Sequence, residues 1–148
     1  MNGNRRPEEV AIVVRRPGAS GAEYLVLLRS VEKHGYWHLV AGGVEWDEVP
    51  VAAARRELEE ETGLVAAPRP LGGSLSYDLA GDPEPVRARF PAGTERITVW
   101  TFVADAPAGW EPELDHEHVA ARWLDPAGAE ALLRYPEPRE AIRRAAAS

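Results

Sequence analysis

Glu57, Glu60 and Glu61 stand three, four and one residues apart in RRELEEETGL, a stretch of mostly strong helix formers. At those spacings the three carboxylates share one side of an α-helix. Like charges four residues apart cost a helix about 0.2–0.5 kcal/mol per pair. The cluster therefore makes chemical sense when a divalent cation neutralises it, and hard oxygen ligands of this kind suit Mg²⁺, with Mn²⁺ an acceptable substitute. Taken alone, such a run is more often a solvated helix face. A second acidic group, Asp115-His116-Glu117-His118, precedes a late apolar run and offers Glu117 as a further oxygen ligand. An acidic surface loop accounts for that tetrad at least as well, and a His116/His118 metal pair accounts for it less well.

What turns the odds for the first cluster is its setting. Residues 42–64 read GGVEWDEVPVAAARRELEEETGL, that is G-x5-E-x7-R-E-U-x-E-E-x-G-U with U a bulky aliphatic, and every fixed position is filled. Pro50 suits the first turn of a helix, and Asp47 and Glu48 lie near its positive end. Gly63 is a natural C-terminal stop. The pattern predicts a helix from about Val49 to Thr62, with Val51, Ala54, Leu58 and Thr62 facing a sheet. Ahead of it, Val10 to Arg15 and Tyr24 to Leu28 are β-branched or apolar runs around a glycine-rich turn, as in a hairpin. Trp37 to Ala41 is a third strand that delivers the chain into Gly42-Gly43, where backbone can approach a ligand closely. Downstream, strands are expected at Leu71 to Tyr77, Val86 to Phe90, Ile97 to Ala104 and Val119 to Leu124, with turns from Asp78 to Glu84. Asp125-Pro126 should cap and start a helix to about Arg134, and a terminal helix should run from Arg139 to Ala147. Strands, helix, strands and helices imply an α/β (α+β) architecture, a mixed sheet covered by helices, formed as one domain over residues 1–148.

This 42–64 pattern resembles the Nudix box, the signature of enzymes that hydrolyse a nucleoside diphosphate linked to another moiety. The resemblance implies the Nudix α/β/α sandwich. It also implies in-line attack of water on a phosphorus of a diphosphate bridge, where positioning and charge neutralisation dominate. By resemblance Glu57, Glu60, Glu61 and Glu117 are the metal-site carboxylates, with Glu57 and Glu61 the firmest ligands. Arg56 pairs with a box glutamate and orients it, while Gly42 and Gly43 shape the loop over the metal. The general base stays open between Glu117 and Glu60. Glu48 reads equally well as a structural tie and as a catalytic group.

The segment RARFPAGTERITVWTFVADAP, then EHVAARWLDPAGAEALL and REAIRRA, is similar to the bacterial dihydroneopterin triphosphate pyrophosphohydrolase subgroup, which also takes dATP-like nucleotides. Trp100 and Glu117-His118 with Trp123-Leu124-Asp125 match its pattern. The strand before the box departs from it: Trp37-His38-Leu39-Val40-Ala41-Gly42 replaces W-Q-S-V-T-G, exchanging polar groups for apolar ones. Tyr36 and Trp37 are candidates to stack on a flat ring, although aromatics so placed more often belong to the core. Arg87, Arg89 and Arg96 are candidate phosphate contacts. Tyr77 is a weaker stacking candidate, by analogy with dinucleoside polyphosphate hydrolases. A pyrophosphohydrolase of a nucleoside or pterin triphosphate is the leading expectation. The same chemistry on dinucleoside polyphosphates, ADP-sugars or oxidised dNTPs is the second. A nucleotide-sensing module that binds without turnover is the third, and the intact carboxylate set speaks against it.

Composition narrows the remaining classes. With no cysteine, disulfides, thiolate metal sites and a cysteine nucleophile are excluded. A net charge of −7 argues against a nucleic-acid surface, though not against a phosphorylated small molecule whose bound metal reverses the local field. No apolar run approaches membrane-spanning length. The opening MNGNRRPEE has no apolar stretch behind its arginines, so no secretory signal and a cytoplasmic setting are expected. A homodimer is expected from the resemblance alone.

Overall fold

A computed structural model describes residues 4–148; the first three residues, which open the segment read above for a secretory signal, lie outside it. Strand β1 (Glu8–Gly18) runs through the middle of an eight-stranded mixed sheet. It pairs parallel with β7 (Arg96–Asp105) in the register Val10↔Trp100, and antiparallel with both β2 (Gly21–Arg29) and β4 (Val40–Gly43). β8 (His118–Leu124) lies on β2, while β5 (Arg69–Pro70) and β6 (Leu75–Asp78) lie on β7.

The period of two in β1 assigns its side chains to two layers. Val10, Ile12 and Val14 point to the face covered by α1 (Pro50–Thr62), where they meet Ala53, Ala54 and Leu58. Ala11 and Val13 point to the other face, covered by α3 (Pro126–Leu132) and α4 (Pro136–Ala147), where they meet Ala129, Ala141, Ile142 and Ala145. The expected sheet between helices is what forms.

Several boundaries differ from expectation for identifiable reasons. The expected third strand is two: β3 (Trp37–His38) pairs with β2, and after Leu39 the chain shifts partner so that β4 pairs with β1. Val86 to Phe90 is not a strand. Pro83 and Pro85 preset helical φ values, and a single turn, α2 (Glu84–Arg87), forms instead, with Phe90 turned into a small cluster with Leu79 and Ile97. α4 begins at Pro136, three residues early, because prolines 136 and 138 sit in a first turn whose N–H groups need no partner. Val51 is exposed; the buried stripe of α1 is Ala53, Ala54, Leu58, Glu61 and Thr62. Asp125 caps α3 as expected, accepting from the Gly128 N–H at 2.7 Å. Gly63 ends α1 in the left-handed region, φ 79°, its N–H donating to the Glu59 carbonyl at 2.8 Å.

Candidate active site

α1 presents its acids to two environments. Glu61 and Glu57 point towards the sheet, with side chains 6% and 13% exposed, whereas Glu60 is 56% exposed. The three are therefore not equivalent: two are drawn inward and one faces solvent. Room for Glu57 comes from Gly42 in β4. A Cβ built on Gly42 would lie 1.8 Å from Glu57 Oε2, so any side chain there evicts the carboxylate. Glu61 Oε1 accepts from the Ala41 N–H at 3.3 Å, tying α1 to the strand that leads into the loop.

Burial raises the pKa of both inward carboxyls, and each has a charged neighbour that raises it further. For Glu61 those neighbours are Glu57, Asp115 and Glu117; for Glu57 the neighbour is Glu60, whose effect the adjacent Arg56 outweighs, leaving burial as the cause of the rise. Two carboxylates held side by side away from water resist ionising together. That is the environment a cation relieves.

Arg56 is the fork that holds the loop. Its Nε and Nη2 donate to the two oxygens of Glu48 at 2.8 and 2.9 Å, Nη2 also to the Gly43 carbonyl at 3.0 Å, and Nη1 to Glu57 at 3.2 Å. Glu48 accepts in addition from the Glu45 N–H at 3.0 Å. Of the two readings of Glu48, its contacts are those of the structural tie.

Glu117 sits at the start of β8, its carboxylate 3.6 Å from Lys33 Nζ. Next to it, His118 is buried, Nδ1 2.7 Å from Asp115 Oδ1 and Nε2 3.9 Å from Glu61 Oε1. The loop from Asp115 to His118 thus reaches the Glu61 end of α1. Among the described residues, no three carboxylate or imidazole side chains already close on one point. The donor chemistry fits a hard divalent cation all the same: all four candidates are carboxylates, and the glycine at 42 leaves the space for Glu57.

The other candidates lie apart. Trp37 packs on the α3/α4 side of the sheet, opposite α1. Tyr36 meets His38 and Tyr135 edge-on at 5.7 and 5.4 Å, and its hydroxyl accepts from Arg29 at 2.8 Å. Arg87 is engaged by Glu84 and the Asp82 carbonyl, both at 2.9 Å, and Arg96 by Asp78 and Ser76. Tyr77 donates to Glu9 at 2.9 Å, and Trp100 donates to Glu8 at 2.8 Å. Sequence reasoning passed over Arg5 and Arg6, which flank the loop. Their only signal was two arginines directly before the first strand.

A family model for the NUDIX domain matches residues 5–145. Dihydroneopterin triphosphate diphosphatase of Escherichia coli (strain K12) is 26% identical over 145 residues, covering 95% of this chain and 92% of that protein. An octanoyltransferase of Myxococcus xanthus is 32% identical over 138 residues, covering 93% of this chain but 36% of that protein, so the chain spans about a third of its length. Among solved structures, the E. coli dihydroneopterin triphosphate pyrophosphohydrolase superposes with a TM-score of 0.80 at 25% identity, covering 97% of each chain.

Proposed function

Since this chain belongs to the NUDIX family and is a Nudix hydrolase, we propose that it is a metal-dependent pyrophosphohydrolase splitting a nucleoside or pterin triphosphate into the monophosphate and pyrophosphate. The observation that carries the reading is the inward pair Glu57 and Glu61, held beside each other with their charged forms disfavoured. The near full-length likeness to dihydroneopterin triphosphate diphosphatase supports the triphosphate as substrate class. The Myxococcus relative's name belongs to a protein of which the match covers only 36% and carries no acyl transfer over to this chain.

In this reading Glu57 and Glu61 hold the cation, Glu60 and Glu117 complete its acidic surroundings, and Arg56 keeps Glu57 aimed. A bound Mg²⁺ or Mn²⁺ supplies charge neutralisation on the phosphate oxygens and acidifies the attacking water. Water attacks phosphorus in line, the bridging P–O bond breaks, and its electron pair leaves with pyrophosphate. The water's proton passes to Glu117, on the Glu61 side, or to Glu60, on the solvent side. Exchange of each for glutamine separates the two, since loss of the base flattens the acidic limb of the rate profile.

The test is release of phosphate and pyrophosphate with Mg²⁺ across dNTPs, dihydroneopterin triphosphate, diadenosine polyphosphates and ADP-ribose, with Glu61→Gln as control. Pyrophosphate from a triphosphate, lost in the variant, is the expected result. Turnover confined to dinucleotides or ADP-ribose would discard the triphosphate reading. Tight binding of one compound with no turnover of any would mark a sensor.

A further inference from the structure

Three arginines surround the loop that enters α1, and two of them are held by hydrogen bonds. Arg56 is spent on Glu48, Glu57 and the Gly43 carbonyl. Arg6 gives Nε to Glu8 at 2.7 Å and Nη1 to the carbonyls of Glu45 and Glu48 at 3.0 and 2.8 Å. Arg5 differs. Its backbone is fixed, the N–H donating to the Arg89 carbonyl at 2.9 Å. Its guanidinium, among the described residues, makes no hydrogen bond. It has Glu9 at 4.0 Å, the outer limit of an ion pair, and the Phe90 ring with its centre 5.8 Å from Cζ. Five N–H donors in a planar fork are thus left available, 40% of the side chain being exposed.

The position of that fork is specified by glycine. A Cβ on Gly43 would fall 2.9 Å from Arg5 Nη2, just as one on Gly42 would displace Glu57. Successive residues of a strand face opposite ways, so Gly42 and Gly43 admit a carboxylate on one side of β4 and a guanidinium on the other. A cavity of about 510 Å³ joins them, with Arg5, Gly43, Trp46 and Glu57 in its lining. Of the other charged side chains lining this cavity, Glu45 and Glu57 are acidic and Arg6 is already paired with Glu8, and the chain as a whole carries −7. A polyphosphate arriving here needs a cation beyond the one the glutamates hold, and a guanidinium fork matches phosphate oxygens two at a time.

We infer that Arg5 is a phosphate-binding residue: its guanidinium takes an outer phosphate of the substrate while Glu57 and Glu61 serve the reacting one. This rests on the triphosphate reading above. The competing role is structural, a brace for the Phe90 segment.

The experiment compares wild type, Arg5→Ala and Arg5→Lys in three measurements: thermal midpoint, kcat and KM for dATP, and calorimetric Kd for the α,β-methylene analogue of dATP with Mg²⁺. A charge-assisted contact of this type predicts a rise of about tenfold or more in KM and Kd for Arg5→Ala, with kcat held within a few fold. Lysine, a point charge without the fork, should recover part of the loss, and all three thermal midpoints should agree. An unchanged Kd in Arg5→Ala overturns the inference. So does a loss that follows a lowered thermal midpoint and is not recovered by lysine. If wild type splits diadenosine tetraphosphate and not dATP, the triphosphate reading fails and the KM comparison is made on that dinucleotide. There a tenfold rise keeps the role of Arg5, and no rise removes it.

Discussion

Gly42 and Glu57 are a matched pair: a Cβ on the glycine would overlap the carboxylate, 1.8 Å from Oε2 and 2.1 Å from Cδ. The obstructed atoms are the far end of a flexible side chain, so the fold can yield where the site cannot. Gly42→Ala should therefore leave the thermal midpoint within a few degrees and cut kcat by about a hundredfold or more, the scale expected when a reacting geometry slips by an ångström. Circular dichroism melts beside steady-state rates check this. A collapse of stability with rates to match would show the glycine to be structural only.

Glu61→Gln separates function from stability with opposite signs. Burial disfavours the charge of both Glu57 and Glu61, and the Glu57 carboxylate raises Glu61 further. Removing one charge should stabilise the chelator-treated protein at pH 8 while turnover falls by orders of magnitude. Denaturant midpoints in EDTA and in Mg²⁺ would show it: added metal should stabilise wild type markedly and the variant little.

Arg56→Lys keeps the charge and loses the fork. Glu48 and the Gly43 carbonyl cannot both be reached by one ammonium with the present geometry. Because Arg56 is about a third exposed, the stability loss should be modest, about 1 kcal/mol after solvent screening. The activity loss should be larger, since Glu57 loses its anchor. Equal losses in urea midpoint and in kcat/KM, expressed as free energies, would argue against an orienting role.

His38 is mostly buried beside Leu39, with the positive fields of Arg29 and His118 nearby; desolvation first, then those charges, lower its pKa from 6.5 to about 4. The unfolded chain thus binds a proton between pH 6.5 and 4 that the folded chain refuses. The His38 contribution to stability is constant above about pH 7 and falls as pH drops through that window. The loss is on the order of 2 kcal/mol, and His38→Gln should remove most of it. Chemical denaturation at pH 7.5 and 5 for both proteins measures the difference directly.

Leu58 reports on the packing that carries the glutamates. It is fully buried between α1 and β1. Leu58→Ala should cost about 2–5 kcal/mol, measured as a shift in urea midpoint at unchanged slope.

How far the sequence foretold this structure depended on how local each signal was. The register from Gly42 to Leu64 was legible because a strand end, a proline at a helix start and a glycine stop all act within a few residues of themselves. Long β-branched runs such as Ile97 to Ala104 were legible for the same reason. Val86 to Phe90 misled because alternation over five residues is weak beside two prolines that fix φ. The different burial of Glu57, Glu60 and Glu61 was out of reach. Helical spacing places all three on one side, and only the position of α1 over β4 decides which two are covered. Arg5 was marked only by its arginine neighbour, since the glycine that makes room for it, Gly43, lies thirty-eight residues away.

The pairing of β1 with β7 and of β2 with β8 also orders events at the ribosome. α1, with its glutamates, is complete by residue 62, yet the strand beneath it acquires its parallel neighbour only when Trp100 can meet Val10. The loop bearing Glu117 is fixed later still, when Trp123 reaches Leu25. Contacts so distant along the chain make for slow folding. The nascent chain therefore carries its most conspicuous acids from Glu61 until Trp123 has been made before it owns a site in which to use them.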